Sequence, residues 1–289
     1  MRKLHISGAI FLAFCFWGGA SFAATQCGLN STYSTHLYAQ GNSSYPPDDG
    51  NCSKDVQAFK LKVYKFAICT SHAEVSDKSM CTTLFEDAVG YDLVLSKNAT
   101  LPLGSDITLT EGTYTHAYIH VDNVMYLTVS HEFASNRKDR SGNSGKYCYS
   151  NGTDKVFDGS DNLTSTIITC SNTAPTTATN LPTKETLTFP DNGAGWGKMV
   201  DSPTKTNLFM LNSAGGQSIN LASDDSVLAS QDITDVVISP NTKGLNIAFT
   251  VTDSVSLVFT QAGQTGCSGS VDCVMDSAWD GMKFLVTAN

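Results

Sequence analysis

Short runs of alternating apolar and polar residues recur along this chain, and no long run shows the period of an amphipathic helix. The clearest run spans residues 113–121, where Ala117, Ile119 and Val121 alternate with tyrosines and histidines. A period of two places successive side chains on opposite faces of a strand. The pattern predicts an all-β protein of one or two antiparallel β-sandwich domains.

Three longer stretches are expected to form particular β features. Residues 113–133 are predicted to form a hairpin that turns at Asp122 and its neighbour, and residues 247–259 a second hairpin with a central turn. Residues 56–69 are predicted to form one strand. Its apolar positions change parity near Val63, which indicates a β-bulge.

The first 23 residues have the composition of a cleavable signal peptide. Arg2 and Lys3 precede an apolar run, residues 10–17, and the small side chains of Ser21 and Ala23 fit a signal-peptidase site. The alternatives are a transmembrane anchor, for which the run is too short, and a lipid attachment site. We therefore expect residues 1–23 to be removed. The mature chain is expected to have no membrane span and to be secreted, either extracellular or in the periplasm or at the cell surface.

Eight cysteines follow the predicted signal peptide, and an even number in an exported chain predicts a set of disulfides. Spacing along the chain favours bonds between neighbours, each closing a local loop. The expected pairs are Cys27 with Cys52, Cys69 with Cys81, Cys148 with Cys170, and Cys267 with Cys273. Zinc ligation is the alternative, but the chain has no C-x-x-C motif.

Composition shifts once, over a stretch rich in Thr, Ala, Asn and Pro. This shift predicts a linker at residues 173–183, between an N-terminal β-sandwich domain at 24–172 and a C-terminal β domain at 184–289.

The chain is acidic, with 18 basic and 27 acidic side chains and a formal charge of −9. Loss of Arg2 and Lys3 with the signal peptide changes this charge to −11. Since no run of Lys or Arg remains, no nucleic acid is expected as a partner. The expected partners are other envelope or extracellular proteins, further copies of the chain, and glycans.

One short motif resembles a known family. Residues 111–115, Glu-Gly-Thr-Tyr-Thr, follow Leu-Pro-Leu at 101–103, and this is similar to a strand entry in prealbumin-like (transthyretin-like or Cna-B-like) β-sandwich domains of secreted bacterial proteins. The resemblance covers residues 56–133 and implies an Ig-like or prealbumin-like sandwich acting as a stalk, adhesive or carbohydrate-adjacent module. Members that form an isopeptide bond place a Lys, an acidic residue and an Asn or Asp together in the core. The sequence assigns no such trio, and the pattern after Tyr114 departs from theirs.

The candidate binding residues share one face of the strand at 113–121. Tyr114, His116, Tyr118 and His120 are expected to form an exposed aromatic and polar face, which suits sugar or protein contacts. His116 and His120 would lie about 13 Å apart on a strand, too far to share a metal.

No cofactor and no metal site is therefore predicted. A weaker alternative is calcium, for which oxygen ligands could come from a turn-rich segment: Asp154, Asp158, Asp161 and Asn162.

No catalytic motif occurs in the chain, so the sequence predicts a protein that is not an enzyme. The leading hypothesis is an exported structural or adhesive protein of the cell envelope or of an extracellular appendage. The alternatives are a carbohydrate- or ligand-binding β-sandwich module and a secreted hydrolase with an unrecognised carboxylate pair.

Overall fold

The computed structural model describes ten stretches of the chain. They are residues 26–35, 49–95, 109–156, 163–187, 198–201, 206–219, 223–242, 244–264, 266–279 and 283–288. The predicted signal peptide at 1–23 lies outside them, as do residues 101–103 of the family-like motif. Asp158, Asp161 and Asn162 of the calcium hypothesis also lie outside the described residues.

The described residues form fifteen β-strands and one short 3₁₀ turn, Tyr33–Thr35, so the all-β prediction is confirmed for them. The strands are β1 Asp49–Lys54, β2 Ala58–Cys69, β3 Cys81–Leu95, β4 Gly112–Thr128, β5 Ser130–Lys138, β6 Ser144–Ser150, β7 Ile168–Ser171, β8 Thr183–Thr186, β9 Lys198–Asp201, β10 Thr206–Leu211, β11 Ser226–Ile238, β12 Leu245–Thr250, β13 Val255–Thr260, β14 Cys273–Trp279 and β15 Lys283–Ala288. No described helix is long and apolar enough to cross a membrane.

The strands form three sheets. The seven-stranded sheet has the order β3-β2-β4-β11-β10-β9, with β8 paired to β4. The six-stranded sheet has the order β1-β13-β14-β5-β6-β7, and β12 and β15 form a two-stranded sheet. The described strand pairs are antiparallel except β14 with β5, which is parallel.

All three sheets contribute to one hydrophobic core. Phe66 of the seven-stranded sheet packs edge-on against Phe249 and Phe284 of the two-stranded sheet, with ring centroids 5.9 and 5.7 Å away. Phe133 and Phe259 make a similar contact at 6.0 Å inside the six-stranded sheet. Burial of these large rings supplies much of the favourable free energy of folding.

The strand pairing does not divide the chain at the predicted linker, residues 173–183. β1 pairs with β13, and β4 pairs with β11 through ten residue pairs, so both large sheets contain strands from before and after that stretch. The main core is also shared. The compositional shift therefore does not coincide with a gap in the sheets or in the core.

The predicted strand at 56–69 is present as β2, and its bulge is confirmed by register shifts on either side of Val63. The predicted hairpin at 113–133 is wrong. β4 continues straight through Asp122, because it stays paired with β2 from His116 to Thr128. The Asp122 carboxylate accepts a hydrogen bond from Val124 N at 2.9 Å, a local turn that does not reverse the strand.

The second predicted hairpin, at 247–259, is also wrong. β12 pairs with β15, whereas β13 pairs with β1 and β14 in a different sheet. The intervening turn contains Asp253 at φ 51°, and Ser254 Oγ donates a hydrogen bond to Val251 O at 2.7 Å. This turn leads the chain from one sheet to another.

All four expected disulfides are confirmed. They are Cys27–Cys52, Cys69–Cys81, Cys148–Cys170 and Cys267–Cys273. Two of them join residues directly opposite each other on neighbouring strands, Cys69 with Cys81 and Cys148 with Cys170. Such bonds are typical of an oxidising compartment.

Candidate functional site

The predicted binding face on β4 does not form as expected. Tyr114 and Tyr118 are only 4% and 1% exposed, so the expectation that both rings face solvent is wrong. Tyr114 packs in the main core and its hydroxyl donates to Thr110 O at 2.9 Å. Tyr118 lies on the outer face of the seven-stranded sheet, in a second apolar cluster with Ala73 of the loop at residues 70–80. That loop covers the ring.

His120 lies on the same outer face and is half-buried. Its Nε2 lies 2.8 Å from Ser226 Oγ, and its ring contacts that of Tyr64 at 5.1 Å. A shallow, open pocket next to it is lined by Lys65 and Glu86, among others. Burial lowers the pKa of His120, with a further contribution from Lys78. His120 is therefore held in the wall of a solvent-facing depression.

Three ionisable side chains that sequence reasoning did not group meet in the interior. We call Lys155, Glu185 and Asp276 the buried charge cluster, since their side chains are 1%, 5% and 1% exposed. Glu185 lies on β8 of the seven-stranded sheet, and Asp276 lies on β14 of the six-stranded sheet. Lys155 follows β6, and its backbone N–H donates to Lys184 O at 2.9 Å beside Glu185. The cluster therefore bridges the two large sheets.

The contacts inside the buried charge cluster are short. Lys155 Nζ lies 2.9 Å from Asp276 Oδ2 and 3.3 Å from Glu185 Oε1, and it also donates to Ser277 O at 3.3 Å. Among the described residues, however, Glu185 Oε2 and both Asp276 carboxylate oxygens have no well-aligned hydrogen-bond donor, although Lys155 Nζ and the Ser277 backbone N–H interact with the Asp276 carboxyl group. Nζ is thus close to the Asp276 carboxyl group but not aligned with either oxygen. Carboxylates left in this state are costly inside a protein.

Charge in the buried charge cluster is unbalanced, with one ammonium facing two carboxylates. Burial raises the pKa of both Glu185 and Asp276, although the Lys155 ammonium opposes the rise. Burial also acts to lower the pKa of Lys155, but attraction to the two carboxylates outweighs it. A buried net charge of −1 is unfavourable, so we expect one carboxyl group to take up a proton.

A second group lies on the outer face of the seven-stranded sheet. We call His72, His116 and Asp232 the histidine cluster; its nearest nitrogen and carboxylate oxygen atoms all lie within 4.8 Å of one another. Asp232 on β11 is directly opposite His116 on β4, and the register of β11 shifts just beyond it. His72 lies in the loop at 70–80, which the Cys69–Cys81 disulfide closes at its base.

The two imidazoles of the histidine cluster present the same nitrogen to one carboxylate. His116 Nε2 lies 3.0 Å and His72 Nε2 3.2 Å from Asp232 Oδ1. On the far side, His116 Nδ1 lies 2.7 Å from Thr115 Oγ1, and His72 Nδ1 lies 3.2 Å from the buried Ser230 Oγ. Burial, and then the neighbouring His116, lower the pKa of His72, although Asp232 opposes this shift.

No protein-family model, curated protein or solved structure matches this chain.

Both clusters escaped sequence reasoning because their members are far apart in the chain. His72 and Asp232 are separated by 160 positions, and no spacing rule joins a loop residue to a residue on a distant strand. His116 was identified as a candidate binding residue, but together with His120. The structure shows that His116 contacts Asp232 whereas His120 contacts Ser226. The buried charge cluster could have been suspected only if the burial of Lys155 had been predicted. Lys155 lies in a turn-rich segment, and such a segment predicts an exposed lysine.

Proposed function

We propose that this chain is an exported structural or adhesive protein of the cell envelope or of an extracellular appendage, and that an amide bond between Lys155 and Asp276 reinforces it. The observation that carries the proposal is the buried charge cluster: an amine and a carboxyl group in contact inside the protein, beside a second carboxyl group, between two sheets.

The reaction is a condensation. After Lys155 passes a proton to Glu185, the neutral Nζ attacks Cγ of protonated Asp276. The Nζ–Cγ bond forms and the Cγ–OH bond breaks. Glu185 relays protons so that one water molecule leaves and an amide remains. The reaction needs no oxidant or cofactor. Contact between the reacting groups replaces a bimolecular encounter by an intramolecular one. Burial favours the neutral forms of both carboxyl groups, whereas Lys155 becomes neutral by passing its proton to Glu185.

Such a bond would complement the disulfides. Each disulfide joins segments within one sheet or closes a loop leading into a strand, with sequence separations of 25, 12, 22 and 6 residues. The amide would instead join β14 of one large sheet to the segment beside β8 of the other. A covalent link between sheets prevents their separation under force, which suits a structural role outside the cell.

Other features support this proposal. Four disulfides fit an oxidising compartment, and residues 1–23 have the composition of a signal peptide. One core shared among the sheets is compatible with a β-sandwich, which we propose to be Ig-like or prealbumin-like. The prealbumin-like family includes members with a Lys, an acidic residue and an Asn or Asp together in the core.

Mass spectrometry of the reduced, denatured mature protein tests the amide. The expected mass is that of the sequence minus one water molecule, and a protease digest should contain one branched peptide joining Lys155 to Asp276. Lys155→Met and Glu185→Gln should each restore the full mass, since one lacks the nucleophile and the other the proton relay.

Lys184→Met is the matched control, because Lys184 is a neighbouring lysine whose side chain is 37% exposed and lies 3.8 Å from Asp154. It should keep the reduced mass. A wild-type protein with its full mass and no branched peptide would remove the basis of the proposal, whatever the variants do.

A separate measurement addresses the structural role. Light scattering after size-exclusion chromatography, with negative-stain images of the same fractions, is expected to show ordered assemblies. A uniform monomer would favour the ligand-binding alternative, which a glycan array would then examine. Because Tyr114 and Tyr118 are buried, that alternative no longer has the exposed aromatic surface on which it was based.

A further inference from the structure

A hydrogen-bond chain places a hydrogen on Nδ1 of one imidazole in the histidine cluster. Thr115 Oγ1 donates its only proton to Thr70 O at 3.1 Å, so it can only accept from His116 Nδ1 at 2.7 Å. His116 Nδ1 therefore carries a hydrogen. In the neutral imidazole, Nε2 then presents a lone pair to Asp232 Oδ1 at 3.0 Å. Two electron-rich atoms this close need a positive charge between them, which either a second proton on the ring or a bound metal ion supplies.

The second imidazole is also held by a polar neighbour at its far nitrogen. His72 Nδ1 lies 3.2 Å from Ser230 Oγ, and this hydroxyl is held in place because it accepts a hydrogen bond from Ala73 N at 2.9 Å. His72 Nε2 faces the same Asp232 oxygen at 3.2 Å. Histidines that bind metals through one ring nitrogen usually have the other held by a polar neighbour, which orients the ring. Thr115 and Ser230 occupy those outer positions here.

We propose that the histidine cluster binds one divalent first-row transition-metal ion, with Zn²⁺ as the representative, through His72 Nε2, His116 Nε2 and Asp232 Oδ1. Tetrahedral zinc with ligand bonds of about 2.0–2.1 Å has ligands about 3.3 Å apart. The two distances to Asp232 Oδ1, 3.0 and 3.2 Å, are close to that value. Small adjustments of the three side chains would admit the ion.

Accessibility and ligand chemistry agree with this class of ion. The side chains of His72, His116 and Asp232 are 29%, 17% and 35% exposed, so an ion can enter from solvent and a water molecule can complete the coordination. Two imidazole nitrogens favour zinc, copper or nickel over calcium and magnesium, which prefer oxygen ligands. The site is thus distinct from the calcium site considered from the sequence.

The loop at 70–80 holds His72 in position before any ion arrives. The Cys69–Cys81 disulfide closes it, Thr70 N donates to Met80 O at 3.2 Å, and Ala73 is fully buried in the second apolar cluster. Ligands held by a rigid framework lose little conformational entropy on binding. The proposal does not depend on the Lys155–Asp276 amide.

Isothermal titration of the full mature protein, freed of metal by a chelator, tests the site. We expect one Zn²⁺ to bind per chain, and Ca²⁺ and Mg²⁺ not to compete. His116→Gln and Asp232→Asn should abolish binding. Thr115→Val, which removes the acceptor for His116 Nδ1, should weaken it about tenfold. X-ray absorption of the zinc complex should show both imidazoles.

His120→Gln is the matched control, because His120 lies four positions from His116 on the same face and contacts Ser226 instead of Asp232. It should bind Zn²⁺ as the wild type does. Circular dichroism will show whether each variant is folded, and His72→Gln, in a surface loop, supplies the same test if a strand variant unfolds. A metal-free wild type that binds no Zn²⁺, or binding that survives in folded His116→Gln and Asp232→Asn, would overturn the proposal.

Discussion

Residues on the same face of β4 have very different surroundings. Along β4 the sequence pattern grouped His116, Tyr118 and His120 on one face, but it missed that Tyr114 packs in the main core, and it did not show what covers the outer face. Tyr118 and His116 point the same way, yet the loop at 70–80 buries the tyrosine and leaves the histidine partly exposed. The covering segment lies more than 35 positions away in the chain. Alternation within a strand carries no information about such a contact.

His131 on β5 is a residue for which burial predicts a pH effect. It is 8% exposed, and its Nε2 lies 3.0 Å from Gly28 O. Burial lowers the pKa of His131 below its ordinary value of 6.5. The hydrogen bond to Gly28 and the charge of Glu132 oppose the shift, and the positive charges of Lys54 and Arg137 add to it. The unfolded chain then binds the proton more readily than the folded chain. The contribution of neutral His131 to the stability of the folded protein is therefore complete above pH 6.5. It is lost as the pH falls through the lower pKa that His131 has in the folded state.

We therefore expect the melting temperature of the wild type to decrease as the pH is lowered from about 8 to about 5. The melting temperature of His131→Gln should decrease less steeply over the same range. Glutamine can still donate to Gly28 O but does not titrate. Some slope should remain in the variant, because burial also lowers the pKa of His72 and His120. Equal slopes for the two proteins, measured with chelator present, would show that His131 contributes nothing.

At the scale of strands, the sequence predicted features within one segment well. It predicted poorly which segments pair with each other. β2 and its bulge near Val63 followed from the change of parity in the apolar positions. Both hairpin predictions were wrong for the same reason. Two alternating segments on either side of two turn-forming residues need not form hydrogen bonds with each other. β4 continues through Asp122, and β12 and β13 each find a partner elsewhere.

The disulfides were predicted because each one closes a short loop, and loop length also sets their expected effects. Replacing Cys69 and Cys81 by alanine should lower the free energy of unfolding by about 3 kcal/mol, and replacing Cys267 and Cys273 by about 2 kcal/mol. Only the first pair closes the loop that carries His72. We therefore expect Zn²⁺ affinity to fall in the first variant and to be unchanged in the second.

Urea unfolding and zinc titration of both double variants measure these effects. A first variant that is destabilised but binds Zn²⁺ as the wild type does would show that the loop holds His72 without its disulfide. The second variant controls for general loss of stability.

At the scale of the whole molecule, strands from the two ends of the chain interleave. β1 pairs with β13, β4 pairs with β11, and the main core takes side chains from both halves. A compositional shift suggested a linker at 173–183, but composition reports local flexibility and not the distant pairing of strands.

This interleaving makes a prediction about fragments. Residues 24–172 and 184–289, produced separately, should each fail to fold, because each lacks strands that complete both large sheets. Proton NMR spectra of the separate fragments should show little dispersion, and mixing them should restore part of it. A well-dispersed spectrum from either fragment alone would identify it as an independent domain.

The pairing of β1 with β13 also determines when the six-stranded sheet can close. Ser53 and Asp253, 200 positions apart, are joined by a side-chain hydrogen bond at 3.3 Å, whereas the Cys27–Cys52 bond next to them spans 25 positions. A chain that emerges from a ribosome or a translocation channel N-terminus first can therefore oxidise this cysteine pair early. Its first strand must then wait, as an open sheet edge, until nearly the entire polypeptide has followed. During that interval the nascent chain is exposed to misassembly with its neighbours, and a holding chaperone would shield the edge.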